Sequence, residues 1–190
     1  MRPASRLNEG FTLIELLIVV AIIGIIAAVA IPSLLRARIS ANEAATVADI
    51  RTVLSSQAAY HSANGAWYDG NISCLCNPFT SCIPGYPTSA PTFLDSQIAS
   101  LQPKNGYARS FRPGAALPGG AFSAVISPTS TSSYVYDATP ISQGQTGVRG
   151  FGGDHSGLVC FNTTGARPAT TATASGIALN ANDPTCNVLQ

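Results

Sequence analysis

From Phe11 to Ile31 the chain is apolar at every position except Thr12, Glu15 and Gly24. As a helix rising about 1.5 Å per residue this run extends about 31 Å, close to the roughly 30 Å of a bilayer's hydrocarbon core. It is long enough to span a membrane. Pro32 follows, and the next thirty positions change character: Ser33 to Ser62 holds no glycine or proline and is rich in good helix formers. Val47, Ile50, Leu54 and Ala58 recur at helical spacing, with Arg36, Arg38, Glu43, Asp49 and Arg51 among the polar positions. The pattern predicts one long helix, with a kink or local unwinding where Pro32 removes a backbone hydrogen bond. Its amphipathic half, 33–62, is the spine on which a sheet packs. Asn64-Gly65 is a left-handed stop signal for that helix.

Beyond the stop, residues 66–119 read as a long irregular connection rich in Gly, Pro, Ser and Asn, with one short helix candidate at Leu94–Leu101. Strand candidates follow at Ala121–Ser127 and Ser133–Thr139, joined by a Pro/Ser/Thr turn that argues a hairpin, and at Gly157–Asn162 after an Asp154-His155-Ser156-Gly157 turn. Short links imply antiparallel order. These place a sheet within 120–162 and a Thr/Ala/Gly/Asn-rich C-terminal loop over 163–190. The expected fold is therefore α+β, a long N-terminal helix packed on a small antiparallel sheet.

Glu15 changes the reading of the first helix. A carboxylate inside an apolar span costs roughly 2–4 kcal/mol unless a cation meets it, so such an acid signals function. Were the chain cut between Gly10 and Phe11, the new α-amino group would lie four residues before Glu15, on the same helix face. The amine could belong to the same molecule or to a neighbour.

The stretch G-F-T-L-I-E-L-L-I-V-V-A-I-I-G-I-I-A-A-V-A-I-P from Gly10 to Pro32 closely resembles the N-terminus of type IV pilins and of type II secretion pseudopilins. The likeness extends to about residue 62. It implies that residues 1–10 are a leader removed by a prepilin peptidase, which then methylates the amine of Phe11. It further implies that Glu15, with Thr12 and Pro32, serves assembly, Glu15 pairing with the Phe11 amine of the adjacent subunit in a helical filament. The implied organisation is a leader 1–10, a transmembrane and filament-core helix 11–32, and a periplasmic or extracellular globular domain 33–190. The implied partners are the chain itself, the prepilin peptidase, an inner-membrane assembly platform and, before assembly, the membrane. The implied product is a structural subunit of a pilus-like filament. A pseudopilin of type II secretion is the alternative, and a membrane-anchored binding or enzymatic domain a further one. In the family, the segment matching 66–119 is a variable loop on the subunit face. Gly147-Val148-Arg149-Gly150-Phe151, with Asp154, Ser156 and Gly157 before a strand, resembles the end of many bacterial pilin-like proteins.

A Sec signal peptide would need a shorter apolar run and no acid. Arg2, Arg6 and Ala28-Val29-Ala30 imitate one, yet the sequence past Ala30 stays helical. A plain single-span anchor has no use for Glu15. Charge alone does not orient the span, because Arg36 and Arg38 on one flank balance Arg2 and Arg6 on the other. The resemblance places the leader in the cytoplasm and the C-terminal part outside it. Charged residues make up 10% of the chain, against the usual quarter. Of ten basic and nine acidic residues, removal of Arg2, Arg6 and Glu9 leaves eight of each, so the charge balance gives no support to nucleic-acid binding, which needs a basic face.

Cys74, Cys76, Cys82, Cys160 and Cys186 all lie beyond the apolar span, and in an oxidising compartment they read as disulfide staples with one thiol left over. Five choices of the spare cysteine times three pairings of the rest leave fifteen arrangements. Cys160 with Cys186 is favoured, because it ties down the tail; the second bridge and the spare thiol then come from Cys74, Cys76 and Cys82. Their spacings do not match a zinc site. His61 and His155 are the two histidines, and Asp154-His155-Ser156 is better read as a turn than as part of a catalytic triad. No nucleotide loop or metalloprotease motif appears, and the chain is expected not to be an enzyme or to need a cofactor. Asp154 and Asp183 with nearby carbonyls are a calcium candidate that no D-x-D-x-D pattern supports. The sequons at Asn71 and Asn162 are read as chance.

Overall fold

The computed structural model describes residues 10–79, 82–117, 126–174 and 176–189. It divides into two compact units, Met1–Arg38 and Ile39–Gln190. The helix α1, Leu13–Ala63, contributes to both. Helical structure runs through Pro32 without a break, so the local unwinding expected there is absent. A proline forfeits one bond of a ladder that helix-forming residues sustain on either side.

In the second unit the buried face of α1 is Glu43, Thr46, Ile50, Val53, Gln57 and Tyr60, a repeat of three and four residues, with Ser56 buried beside Gln57. This corrects the expected stripe in two places. Ala58 is exposed, and Glu43, counted among the polar outer positions, is buried. The helix stops as Asn64-Gly65 predicts: Gly65 adopts φ +61°, and the Ala66 N–H returns to the His61 carbonyl at 2.9 Å. Asn64, fully buried, then ties the helix end to the chain beyond. Its amide donates to the Trp67 carbonyl and to Ser130 Oγ, and its Oδ1 accepts from the Ser127 N–H.

Five strands form the main sheet, entirely antiparallel and in the order β2-β4-β5-β6-β9: Tyr107–Pro113, Tyr134–Pro140, Gly150–Asp154, Val159–Asn162 and Asn187–Val188. Two-stranded ladders join β1 (Tyr68–Asp69) to β3 (Ser130–Thr131) and β7 (Thr170–Thr173) to β8 (Gly176–Leu179). The α+β architecture is as the pattern predicts. Its details differ. The stretch read as irregular, 66–119, holds β1, a 3₁₀ turn at Ile72–Leu75, the one-turn helix α2 (Ser96–Ala99) inside the predicted 94–101, and all of β2. The stretch read as C-terminal loop, 163–190, holds β7, β8 and β9. Most of the candidate strand Ala121–Ser127 lies outside the described residues. Its proposed hairpin partner, β4, is flanked instead by β2, with Tyr107 opposite Pro140, and by β5, with Val135 opposite Asp154.

The core sits where α1 crosses this sheet: Ile50, Val53 and Tyr60 from the helix cluster with Tyr107, Tyr136, Ala138, Phe151 and Val159 from the strands. Gly153 makes the approach possible, since a Cβ there would lie 2.6 Å from Ile50 Cγ2 and 2.8 Å from Leu54 Cδ1. Two ionic clamps hold the frame. Glu43 accepts the Val148 and Arg149 N–H groups at 2.9 and 3.0 Å and both arms of the Arg149 guanidinium at 2.8 and 2.6 Å. Burial alone would raise the Glu43 pKa, but the Arg149 side chain and the backbone donors together hold it below the usual carboxylate range. Asp137 on β4, 1% exposed, joins Arg112 on β2 and Arg167 at 2.8 and 3.0 Å.

Cys160 on β6 is bonded to Cys186 just before β9, and Cys74 to Cys82 within the connection between β1 and α2. The favoured pairing is the one found. Cys76 is the leftover thiol, half-buried, with Sγ 3.1 Å from the Ser73 carbonyl and within reach of the Asn77 amide. Burial pushes its pKa up, which favours an inert thiol over a thiolate.

Candidate assembly site

The first unit presents a helix with no interior of its own. Phe11 is 82% exposed, Leu13 81% and Val29 75%, and no residue of the apolar stretch is buried within the chain. Leu, Ile and Val occupy all sides of α1 from Leu13 to Leu35, so no orientation on a single surface would cover them. Covering them takes a solvent of hydrocarbon or several neighbouring helices.

The start of this helix is built by two residues. Thr12 is its N-cap: Thr12 Oγ1 accepts the Glu15 N–H at 3.3 Å, while Glu15 Oε2 accepts both the Thr12 N–H at 2.9 Å and the Thr12 hydroxyl at 2.6 Å. This reciprocal pair is a capping box, which satisfies donors that the first helical turn otherwise leaves open. The T-x-x-E spacing before an apolar run carries that signal, and the sequence reading passed over it because it treated Glu15 only as a buried charge. Both bonds fall on Oε2, which faces the start of its own helix.

The other predicted site residues are placed as follows. Gly10 is exposed immediately before the cap, with no atom near enough to contact a Cβ there, so the Gly10–Phe11 bond is open to approach. Pro32 is exposed on α1 beside Ile31, Leu34 and Leu35. The cysteines lie in the other unit and serve its frame.

The two aspartates of the calcium candidate each close a turn of their own. Asp154 Oδ1 accepts the Ser156 N–H and hydroxyl, and Asp183 Oδ1 accepts the Thr185 N–H and hydroxyl, each closing its own turn. No group of three or more His, Cys, Asp or Glu side chains able to hold a metal occurs among the described residues. The predicted turn at Asp154–Gly157 is present, with Gly157 at φ +85°.

Comparison with known proteins bears on the same segment. Residues 5–31 match the family model of the prokaryotic N-terminal methylation motif. The Type IV wide pilus major component PilA4 of Thermus thermophilus is 49% identical over 70 residues, covering 37% of this chain and 53% of its own length. The Type IV major pilin protein PilE1 of Neisseria gonorrhoeae is 34% identical over 104 residues, covering 54% and 47%. The Type IV major pilin protein PilA of Myxococcus xanthus is 39% identical over 62 residues, covering 33% and 28%. The chain thus spans about half the length, or less, of these curated relatives. No solved structure matches. The chain therefore carries the prokaryotic N-terminal methylation motif on a capped apolar helix, and over part of its length it is similar to type IV major pilins.

Proposed function

We propose that this chain is the precursor of a structural, non-enzymatic subunit of a type IV pilus-like filament. A prepilin peptidase removes residues 1–10 and methylates the Phe11 amine. Until then the apolar half of α1 anchors the chain in the inner membrane, with Ile39–Gln190 on the periplasmic side. An assembly platform in that membrane then transfers the subunit to the filament. There the apolar helices exchange lipid for one another, and repeated identical contacts along a non-closing helical operator make a fibre. Glu15 of each subunit meets the Phe11 amine of its neighbour and fixes the axial register.

One observation carries this reading: an apolar helix exposed on all sides holds a single acid at its capped start, directly after a Gly–Phe junction. Lipid accounts for the apolar surface and the capping box engages one carboxylate oxygen of the acid; a cation brought by another chain end meets the remaining charge. The test is N-terminal sequencing and intact-mass measurement of the protein recovered from sheared surface fibres. The expected material begins at Phe11 and carries one methyl group on its amine. Protein that begins at Met1 or at Ile31, or that never enters fibres, overturns the proposal.

A further inference from the structure

Within the unit Ile39–Gln190, a cavity of about 250 Å³ opens between the second half of α1, β1 and the turn after β5. Leu54 and Ala58 form one wall, and Tyr68, Tyr134, Asp154 and His155 the others. Three observations give this cavity a chemical character.

Asp154 is 1% exposed, and its three hydrogen bonds come from neutral donors: the Ser156 N–H and hydroxyl on Oδ1 and the Leu179 N–H on Oδ2. The ion pairs among the described residues engage Glu43, Asp49 and Asp137 and leave Asp154 without a cation. The walls are aromatic. The Tyr68 ring lies 5.1 Å from that of Tyr134 and 6.1 Å from that of His155, both edge-to-face. Its hydroxyl donates to the His155 carbonyl, and on its far side His61 lies 4.6 Å away. Finally, His155 Nδ1 is buried without a hydrogen-bond partner, so the imidazole is a ring wall held by packing. The phenols sense the local field. Burial chiefly raises the pKa of both Tyr68 and Tyr134, and the Asp154 charge adds to each rise.

A buried anion, π-rich walls and an aliphatic strip are complementary to a cation with a short alkyl stem. They are a poor match for a metal ion. Hard cations need six or more oxygen ligands, whereas Asp154 is the one carboxylate lining this cavity. We propose that this cavity binds an alkylammonium or alkylguanidinium group, with Asp154 supplying the charge, the Tyr68 and Tyr134 rings the cation–π contact, and Leu54 and Ala58 the seat for the stem. The volume lies below the roughly 300–1,000 Å³ of drug-sized sites, so the ligand is one side chain or a small amine. That cation comes either from a Lys or Arg of another protein molecule or from a free amine. The site lies wholly in the second unit and does not depend on filament formation.

Isothermal titration of the full mature chain in detergent tests it, with n-butylammonium chloride as probe, n-butanol as its neutral isostere and calcium chloride as competitor. Saturable binding of n-butylammonium is expected, with none of n-butanol and no competition from calcium. Affinity should fall about ten-fold in Asp154→Asn and several-fold in His155→Ala. The second variant removes a ring whose Nδ1 has no partner, and so it keeps the fold if the first does not. Equal binding of n-butanol, unchanged affinity in both variants, or saturation by calcium alone overturns the proposal. Repeating the titration on sheared fibres separates the sources: a site still open there takes a free amine, and a site closed there is filled by a neighbour's side chain.

Discussion

The two stretches of α1, up to Arg38 and from Ile39 on, are made of one continuous helix and solve opposite problems. The first is apolar on every side and exposes nearly all of it; the second buries a single stripe and leaves Arg51, Ser55 and Ala58 to solvent. The difference lies in where each finds its partner. Ile50, Val53 and Tyr60 meet residues of their own chain, whereas Leu13 to Leu35 are not buried by any of the described residues. The second stretch is held by its own chain, and the first leaves its apolar surface open.

The sharpest way to break that contrast is Glu15→Ala. We expect fibre yield to fall below detection while cleavage after Gly10 and the urea midpoint of the detergent-dispersed chain stay unchanged. Normal fibres from this variant would remove the acid from assembly. Next in size is the paired change Cys160→Ser with Cys186→Ser. It frees a loop closed over 26 residues and should lower unfolding stability by about 3.5 kcal/mol, read from urea denaturation, without touching the helix cap.

Gly153→Ala attacks the second stretch where helix and sheet come closest. A methyl 2.6 Å from Ile50 Cγ2 must displace it, at a cost of about 1–3 kcal/mol in the same measurement. The smallest effect is expected from acid. Because the Glu43 pKa is depressed in the folded chain, its contribution is complete above the unfolded carboxylate range near pH 4.5 and is lost as pH falls through the lower folded value. The wild type should lose stability as pH falls below about 4.5 beyond any loss in Glu43→Gln, read from the same urea denaturation.

The same contrast decides what was legible. The first stretch could be read almost letter by letter, because its length, its lone acid and its Gly–Phe junction are local features that tertiary contacts do not override. The capping role of Thr12 was missed although T-x-x-E announces it, and the unwinding expected at Pro32 is absent because the helix formers on either side sustain the ladder. The second unit was legible in class but not in parts. Strand β5 reads G-F-G-G-D, a composition that favours loops. It is a strand because Gly153 must clear Ile50 and Leu54, which no local pattern shows. Glu43 reads as a surface acid until Arg149, over a hundred residues later, is placed against it. Strand β2 hid in a connection full of turn residues, since its ladder depends on β4 and not on its own alternation. The Cys160–Cys186 bridge was legible because a tail with few apolar residues has little else to hold it.

That bridge has a consequence for change over generations. It clamps both ends of the segment bearing β7 and β8, so insertions there enlarge a loop whose anchorage is already covalent, and each doubling of its length costs only about 0.6 kcal/mol. The segment can therefore lengthen while the sheet beneath it keeps its shape.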